Sequence, residues 1–173
     1  MSADNNDSDG AVHYTTLPVR WSDFDRHGHI MNANYLEFAQ EARLEYGEHF
    51  FFSRGLEFNV FVRRVEADYF RPIQPDTTHV HIETQAVEVG TTSFVTRQEI
   101  KDRQKRLACV VETVQVAIDM STLMPRELTK AEIGIITQAP EKKPPEDIQD
   151  AEVEEDGLVD LDNLEDSGYG DIF

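Results

Sequence analysis

Between Asp23 and Asn34 the chain places two carboxylates, two imidazoles and two side-chain amides within twelve residues, Asp-Phe-Asp-Arg-His-Gly-His-Ile-Met-Asn-Ala-Asn. A carboxylate can attack an electrophilic carbonyl carbon or take a proton from water. A helical pattern begins where the segment ends, and the positive end of a helix stabilises negative charge that develops on a substrate. This segment is therefore the candidate active site.

The helix that follows is predicted from the spacing of its apolar residues. From Asn34 onward these residues fall on one helical face, namely Tyr35, Phe38, Ala39, Ala42 and Tyr46. Asn32 or Asn34 is the predicted N-cap, and Gly47 is the predicted C-terminal stop. The two alanines on the buried face allow a sheet to pack closely against the helix.

One strand is predicted before the candidate active site and four are predicted after the helix. Their ranges are rich in β-branched and aromatic residues, namely 14–21, 59–70, 77–89, 92–101 and 106–119. A capping-box pattern at Thr129 predicts a short helix that ends at Ile136. Because one long helix cannot cover both faces of a five-stranded antiparallel sheet, we expect an α+β fold whose sheet curls around the helix. Its exposed strand edges would then attract a partner.

Acidic residues dominate the composition, and their distribution is uneven. The chain of 173 residues carries 34 acidic and 16 basic side chains, a formal net charge of −18. Thirteen acidic and two basic residues lie in 140–173 alone. We therefore predict a flexible acidic arm over 1–12, one domain over 13–139 and a disordered acidic tail over 140–173. A negative chain without a basic stripe argues against a nucleic-acid partner.

Location and metal binding are constrained by a few further residues. Cys109 is the only cysteine, which excludes an intramolecular disulfide and a cysteine metal cluster. No leader-like segment and no apolar run of about 20 residues is present, so we expect a cytoplasmic protein without a membrane span. His79, His81 and Glu83 alternate on one strand face and offer zinc ligands. We interpret that face as solvated or as an interface, and no metal is predicted.

The candidate active site resembles the signature of hotdog-fold acyl-CoA thioesterases of the 4-hydroxybenzoyl-CoA thioesterase type. In particular, it resembles the branch that includes the thioesterase associated with the Tol–Pal cluster. The likeness covers residues 13–138 and rests on four stretches: D-x-D-x-x-G-x-x-x-x-x-x-Y from Asp23, Glu41-Ala-Arg43, Tyr69-Phe-Arg-Pro72 and Gly90-Thr-Thr-Ser-Phe94. It implies a long central helix wrapped by a five-stranded antiparallel sheet. It also implies a homodimer or tetramer with active sites at the subunit interface, and no cofactor.

The resemblance assigns roles within the candidate active site. Asp25 matches the catalytic carboxylate of the family, which acts as nucleophile or general base. Asn32 falls where some relatives place a His or Tyr that positions substrate or water. Since an amide transfers no proton at neutral pH, Asn32 would orient water, donate to the thioester oxygen or cap the helix. Asp23 is expected to hold the loop, and His29 either contributes to the site or is a satisfied loop histidine.

Substrate contacts follow from the same resemblance. A backbone oxyanion donor is expected near the start of the second strand. Relatives often carry basic residues at the positions of 90–92 that contact the phosphates of coenzyme A, and this chain has none there. The predicted substrate-binding set is His29, Asn59, Val60, Arg63, Arg64 and Ser93, with Arg71 and Arg97 as further candidate cations.

The predicted function is hydrolysis of an acyl-CoA thioester to free acid and coenzyme A, with an acyl carrier protein as a second candidate carrier. The alternative is a non-catalytic module on the same fold that binds acyl thioesters or serves in assembly. Asp25 favours the enzyme, whereas the missing basic residues at 90–92 favour the module. A hotdog dehydratase would pair a catalytic histidine with an acid in a different motif, which we do not find.

Overall fold

A computed structural model describes residues 12–138 of the protein. In chain order the strands and α-helices are β1 (Val12–Pro18), α1 (Asn32–Phe50), β2 (Val60–Tyr69), β3 (His79–Val89), β4 (Ser93–Lys101), β5 (Leu107–Asp119), β6 (Met124–Pro125) and α2 (Lys130–Ile136). Short 3-10 turns lie at Trp21–Asp23 and Phe52–Arg54. The predictions for the acidic arm and tail concern residues outside this range, except Val12, which begins β1.

The strands form one antiparallel sheet in the order β1-β3-β4-β5-β2. The two-residue β6 pairs with the end of β5 and adds a sixth strand that the sequence did not predict. Strand pairing places residues of the helix-facing side next to one another. For example, Thr113 of β5 pairs with Thr96 of β4 on one side and with Val65 of β2 on the other. β1 and β2 are the edge strands of this path.

Helix α1 lies against one face of the sheet and contacts β1, β3, β4 and β5. The predicted apolar face is the buried one, and Ala39 and Ala42 are completely covered. Below the first half of the helix the core contains mainly aliphatic residues such as Ile82. Below its second half the core is aromatic, and the rings of Phe51 and Phe58 stack at 3.9 Å. The helix wrapped by an antiparallel sheet is the hotdog arrangement that the sequence predicted.

Both predicted ends of α1 were wrong. The N-cap is Met31, whose side chain makes no capping hydrogen bond. The side-chain amide of Asn34 is buried and donates to Asp23 rather than capping the helix. Gly47 lies inside the helix, which continues to Phe50. A glycine inside a helix costs about 1 kcal/mol, whereas each buried aromatic side chain of the second core contributes more than that. Tertiary burial therefore decides where the helix ends.

The first strand also differs from its prediction, since it ends at Pro18 rather than at residue 21. Trp21 lies in the 3-10 turn beyond it, with 90% of its surface exposed. The other four long strands begin and end within two residues of their predicted ranges. The sequence therefore located the strands that build the sheet.

Helix α2 begins with the predicted capping box. The Thr129 hydroxyl accepts the backbone N–H of Glu132 at 3.2 Å, and the Thr129 N–H donates to the Glu132 carboxylate at 2.7 Å. Arg126 donates two further hydrogen bonds to the same carboxylate, at 2.6 and 2.9 Å. Although burial raises the pKa of Glu132, the bonds from Arg126 and Thr129 hold that pKa below its ordinary value of 4.5.

We expect Glu132→Ala to lower the free energy of unfolding by about 2–4 kcal/mol, because it removes a cap and a largely buried ion pair. The contribution of a carboxylate with a lowered pKa is complete above its unfolded pKa and is lost as pH falls through its folded pKa. The difference between wild type and variant should therefore shrink below pH 4.5 in urea titrations. The exposed Glu127→Ala serves as the control and should change stability little; equal effects of the two variants would contradict the prediction.

Candidate active site

The loop between β1 and α1 folds into a tight turn around Gly28. The Asp25 N–H donates to the His29 carbonyl at 2.8 Å, and the Gly28 N–H donates to the Asp25 carbonyl at 3.0 Å. Gly28 has φ +75°, in the left-handed region, and a Cβ at this position would lie 2.9 Å from Cγ of Pro75. Conformation and space both require glycine here.

Gly28→Ala should therefore destabilise the protein by about 1–3 kcal/mol and reduce activity, since the turn that holds Asp25 must shift. Thermal unfolding and thioester hydrolysis measure the two effects. Gly134→Ala is the matched control, because Gly134 lies inside α2 with no neighbour near an added Cβ. The control should gain stability, as alanine is the better helix former. A Gly28→Ala protein as stable as wild type would mean that the turn is not restrictive.

The Asp25 carboxylate lies at the surface of this turn. Its Oδ1 accepts the backbone N–H groups of His27 at 2.7 Å and His29 at 3.0 Å. The bond from His29 is the main reason why the pKa of Asp25 lies below its ordinary value of 3.8. No described residue donates a hydrogen bond to Oδ2. At neutral pH Asp25 is thus an ionised carboxylate with one oxygen fixed and the other available for chemistry.

Asp23 is buried and holds the loop to the helix. Its carboxylate accepts the backbone N–H of Arg20 at 2.7 Å and the side-chain amide of Asn34 at 2.8 Å. It therefore connects the end of β1 to the first turn of α1, in agreement with the structural role predicted for it.

A cavity of about 240 Å³ opens beside the turn, between the N-terminus of α1 and the segment that follows β2. Its lining consists of His29, Ile30, Asn32, Tyr35, Tyr69, Phe70, Arg71 and Pro72. Asp25 is not part of the lining. Its carboxylate accepts a hydrogen bond from the backbone N–H of His29, and His29 does line the cavity. A residue that lines the cavity thus holds the ionised carboxylate.

Two tyrosines form one wall of this cavity. The rings of Tyr35 and Tyr69 meet edge to face, with centroids 5.4 Å apart. The Tyr69 hydroxyl donates to the backbone carbonyl of Asn32 at 3.2 Å, which joins the end of β2 to the start of α1. Burial raises the pKa of both phenols, so both are neutral at physiological pH. The sequence did not predict that either tyrosine lines the site. The only pattern that could have indicated it was the match of Tyr69-Phe-Arg-Pro72 to the thioesterase signature.

The structure brings some of the predicted site residues together and separates others. Asn32, His29 and the further candidate Arg71 line the cavity. The remaining predicted substrate-binding residues are not part of its lining, namely Asn59, Val60, Arg63, Arg64 and Ser93.

Strand direction explains this separation. Asn59 and Val60 lie at the opposite end of β2 from Tyr69, a distance of about 30 Å for a ten-residue strand. Arg64 pairs with Glu66, and Ser93 begins β4 opposite Val116. Within one chain these predicted residues therefore do not meet Asp25, and contacts across a subunit interface stay a prediction.

The histidine pair on β3 has other partners. Glu83 forms an ion pair with Lys101 at 2.6 Å, and His81 is hydrogen-bonded to the Thr16 hydroxyl at 3.3 Å. Over residues 12–138 no group of three or more His, Cys, Asp or Glu side chains could hold a metal ion. Within the same range, no helix combines the length and apolar character needed to cross a membrane.

Comparison with family models shows that residues 19–151 match the thioesterase-like superfamily. The chain belongs to this superfamily. The predicted hotdog thioesterase resemblance is thereby confirmed at the level of the superfamily, and the prediction of a thioester hydrolase agrees with it. The 4-hydroxybenzoyl-CoA and Tol–Pal branch stays a prediction.

Individual members of the thioesterase-like superfamily are similar over most of their length. The acyl-CoA thioester hydrolase YbgC of Escherichia coli O6:H1 is 29% identical over 133 residues, which cover 72% of this chain and 98% of that protein. A thioesterase from Thermus thermophilus, solved in complex with coenzyme A and Zn, has a TM-score of 0.62 and 25% identity over 71% of this chain and 90% of its own. A predicted thioesterase from Bacillus stearothermophilus has a TM-score of 0.64 and 22% identity, covering 73% and 94% of the two chains.

Proposed function

We propose that the protein hydrolyses acyl-CoA thioesters to free acid and coenzyme A at the cavity beside Asp25. The observation that carries the proposal is the ionised Asp25 carboxylate, fixed at Oδ1 by two backbone N–H groups and free at Oδ2. Superfamily membership supports it. Further support comes from the acyl-CoA thioester hydrolase of E. coli O6:H1 and from the coenzyme A complex of the T. thermophilus thioesterase.

The carboxylate can act by either of two routes. In the first, Oδ2 attacks the thioester carbon, the carbon–sulfur bond breaks and coenzyme A leaves as a thiolate. The acyl–aspartyl mixed anhydride that remains is then hydrolysed by water. In the second, Oδ2 takes a proton from a water molecule, which attacks the thioester carbon and displaces the same thiolate. Both routes give one acid and one coenzyme A, and both need Asp25 ionised.

The negative charge that develops on the thioester oxygen requires donors, and the N-terminus of α1 supplies them. The first N–H groups of a helix have no acceptor within it, and here they belong to Asn32 and Ala33. They carry the positive end of the helix dipole, and the Asn32 side-chain amide lines the cavity beside them. Within one chain we therefore propose the start of α1, rather than Asn59 or Val60, as the oxyanion donor.

We propose that the active form is a homodimer or tetramer. Among the described residues, β2 pairs only with β5, so its other backbone edge is open. Phe61, Val62 and Val65 expose apolar side chains on this edge strand, an arrangement that favours pairing with another chain. If two β2 strands pair in antiparallel fashion, the start of one lies near the end of the other. The partner's Asn59 would then approach the cavity.

Val65→Lys should break this assembly, because a lysine on an edge strand opposes strand pairing. We expect sedimentation to show monomers and kcat to fall about 10-fold or more. Val87→Lys is the matched control, since both valines expose 40% of their surface but Val87 lies on the interior strand β3. A wild-type protein that is a stable, active monomer at micromolar concentration would contradict the proposal.

A panel of acyl-CoA thioesters with detection of free coenzyme A by Ellman's reagent tests the hydrolase. The protein itself adds little background, because Cys109 is buried and burial raises its pKa to about 12. Release of coenzyme A by wild type and not by Asp25→Asn supports the hydrolase. Stoichiometric binding of acyl-CoA without release would instead establish the binding module.

A further inference from the structure

One cation of the cavity, Arg71, has no counter-charge in the part of the chain that the structure describes. The guanidinium of Arg71 lines the cavity with Asn32 and Tyr69 and has no ion-pair or hydrogen-bond partner among residues 12–138, where only its backbone N–H is bonded. Several other arginines of the domain form ion pairs, as in Arg64–Glu66, Arg97–Glu112, Arg103–Asp76 and Arg126–Glu132. A guanidinium presents a fork of donors that matches a carboxylate or a phosphate.

A bound acyl-CoA has three groups that could meet this cation, namely the thioester oxygen, a phosphate and a substituent of the acyl group. Under the proposed function the first N–H groups of α1 and the amide of Asn32 bind the thioester oxygen. The nearest phosphorus lies thirteen bonds from the thioester sulfur, about 15 Å in an extended arm at the rise of a peptide chain. Tyr69 contacts Asn32 at 3.2 Å, and Arg71 follows Tyr69 by two residues, about 7 Å of extended chain, so a thioester at Asn32 with an extended arm places that phosphate beyond Arg71.

We propose that Arg71 binds a carboxylate at the far end of a short acyl group, so that the preferred substrate is the coenzyme A thioester of a dicarboxylic acid. This inference rests on the proposed thioester hydrolysis. At about 30 Å³ for each small group, the cavity holds roughly eight non-hydrogen atoms, which matches a four- or five-carbon diacyl unit. Tyr35, Tyr69 and Phe70 supply apolar surface for its methylene groups.

The local charge favours such a cation for an anionic acyl group. Over residues 12–138 the acidic side chains outnumber the basic ones, 18 to 14, and the ionised Asp25 is bonded to His29 of the cavity lining. Both repel a second carboxylate on the substrate. Arg71 offsets this repulsion locally, whereas a neutral acyl group would gain nothing from a guanidinium at this position.

The test compares glutaryl-CoA with pentanoyl-CoA, which have equal chain length and differ in the terminal carboxylate. The same two acyl groups are also tested as thioesters of N-acetylcysteamine, which carry no phosphate. We expect Arg71→Gln to lower kcat/KM for both glutaryl thioesters roughly 10- to 100-fold, the range of a charged hydrogen bond. For both pentanoyl thioesters, the same substitution should change kcat/KM by less than about 3-fold. Arg71→Lys should restore part of the glutaryl activity, and circular dichroism checks that the variants are folded.

The other results identify the other roles of Arg71 and overturn the proposal. An equal loss on all four thioesters makes it an oxyanion donor, and a loss confined to the two coenzyme A thioesters makes it a phosphate ligand. No loss on any substrate means that it binds no substrate group. Arg54→Gln, at the exposed turn after α1, is the control and should change none of these values.

A failure of the proposed hydrolase function can be distinguished from a failure of the proposed carboxylate site. If wild type cleaves pentanoyl-CoA, thioester hydrolysis stands whatever Arg71→Gln does. If wild type cleaves no thioester, calorimetry with free glutarate and pentanoate tests the anion site directly. Binding of glutarate that is weakened by Arg71→Gln, with no binding of pentanoate, supports the site. Equal binding of both acids, or binding of neither, overturns it.

Discussion

Replacing Asp25 by Asn should lower kcat at least about 100-fold on the best thioester substrate, the contribution expected of a positioned base or nucleophile. The substitution changes volume little, and the amide oxygen of Asn can still accept the N–H groups of His27 and His29 that Asp25 accepts now. The turn should therefore keep its conformation, and the melting temperature should stay close to that of wild type. Steady-state hydrolysis and thermal unfolding of the same preparation measure both effects.

Near-wild-type activity of Asp25→Asn would show that another group performs the chemistry. Where activity is lost as expected, a single turnover of wild type in ¹⁸O-labelled water separates the two routes. Label that appears in the Asp25 carboxylate identifies the nucleophilic route, because a general base never becomes acylated. Mass spectrometry of the peptide that contains Asp25 measures the label.

Asp23→Ala should have the opposite profile, with a large loss of stability as its primary effect. The carboxylate is 2% exposed and bonds the backbone of Arg20 and the buried amide of Asn34. Its removal leaves both donors without this acceptor, and we expect a loss of about 3–4 kcal/mol in the free energy of unfolding. Activity should fall as well, because the loop that holds Asp25 is no longer fixed to α1.

Urea denaturation of Asp23→Ala, Asn34→Ala and the double variant measures the coupling between the two side chains. We expect a coupling energy of about 1 kcal/mol or more, as for residues in direct hydrogen-bonded contact. Asp25→Asn, from the same loop, is the control and should retain the stability of wild type. Additive effects of the two alanine substitutions would mean that the Asp23–Asn34 bond does not stabilise the fold.

The sequence predicted those parts of the fold that have a local cause. Strands β2 to β5 follow from β-branched runs, and the capping box at Thr129 is complete within four residues. The errors of the sequence prediction at α1 are caused by contacts with residues outside the local pattern. Asn34 does not cap α1 because Asp23, eleven residues earlier, accepts its amide, and Gly47 does not end α1 because Phe50 and Phe51 are buried beyond it.

The same distinction applies to the candidate site. Asp25 and Gly28 belong to one short motif, so the sequence could predict that they lie in one turn. Tyr69 reaches Asn32 only because sheet pairing brings together residues that are 37 positions apart. A strand pattern does not indicate which end of β2 faces the loop, so the sequence could not show that within one chain Asn59 and Val60 lie at the far end of β2 from Tyr69.

The two bonds that hold Asp25 come from the backbone of His27 and His29, and this has a consequence for how the motif evolves. These two hydrogen bonds depend on the path of the chain through the turn and not on the side chains at 26 and 27. Those two positions are therefore open to mutational drift, whereas Gly28 is not, because its left-handed backbone and the proximity of Pro75 exclude larger residues. Descendants of this sequence can exchange the charge next to Asp25 while they conserve the two bonds that hold its carboxylate.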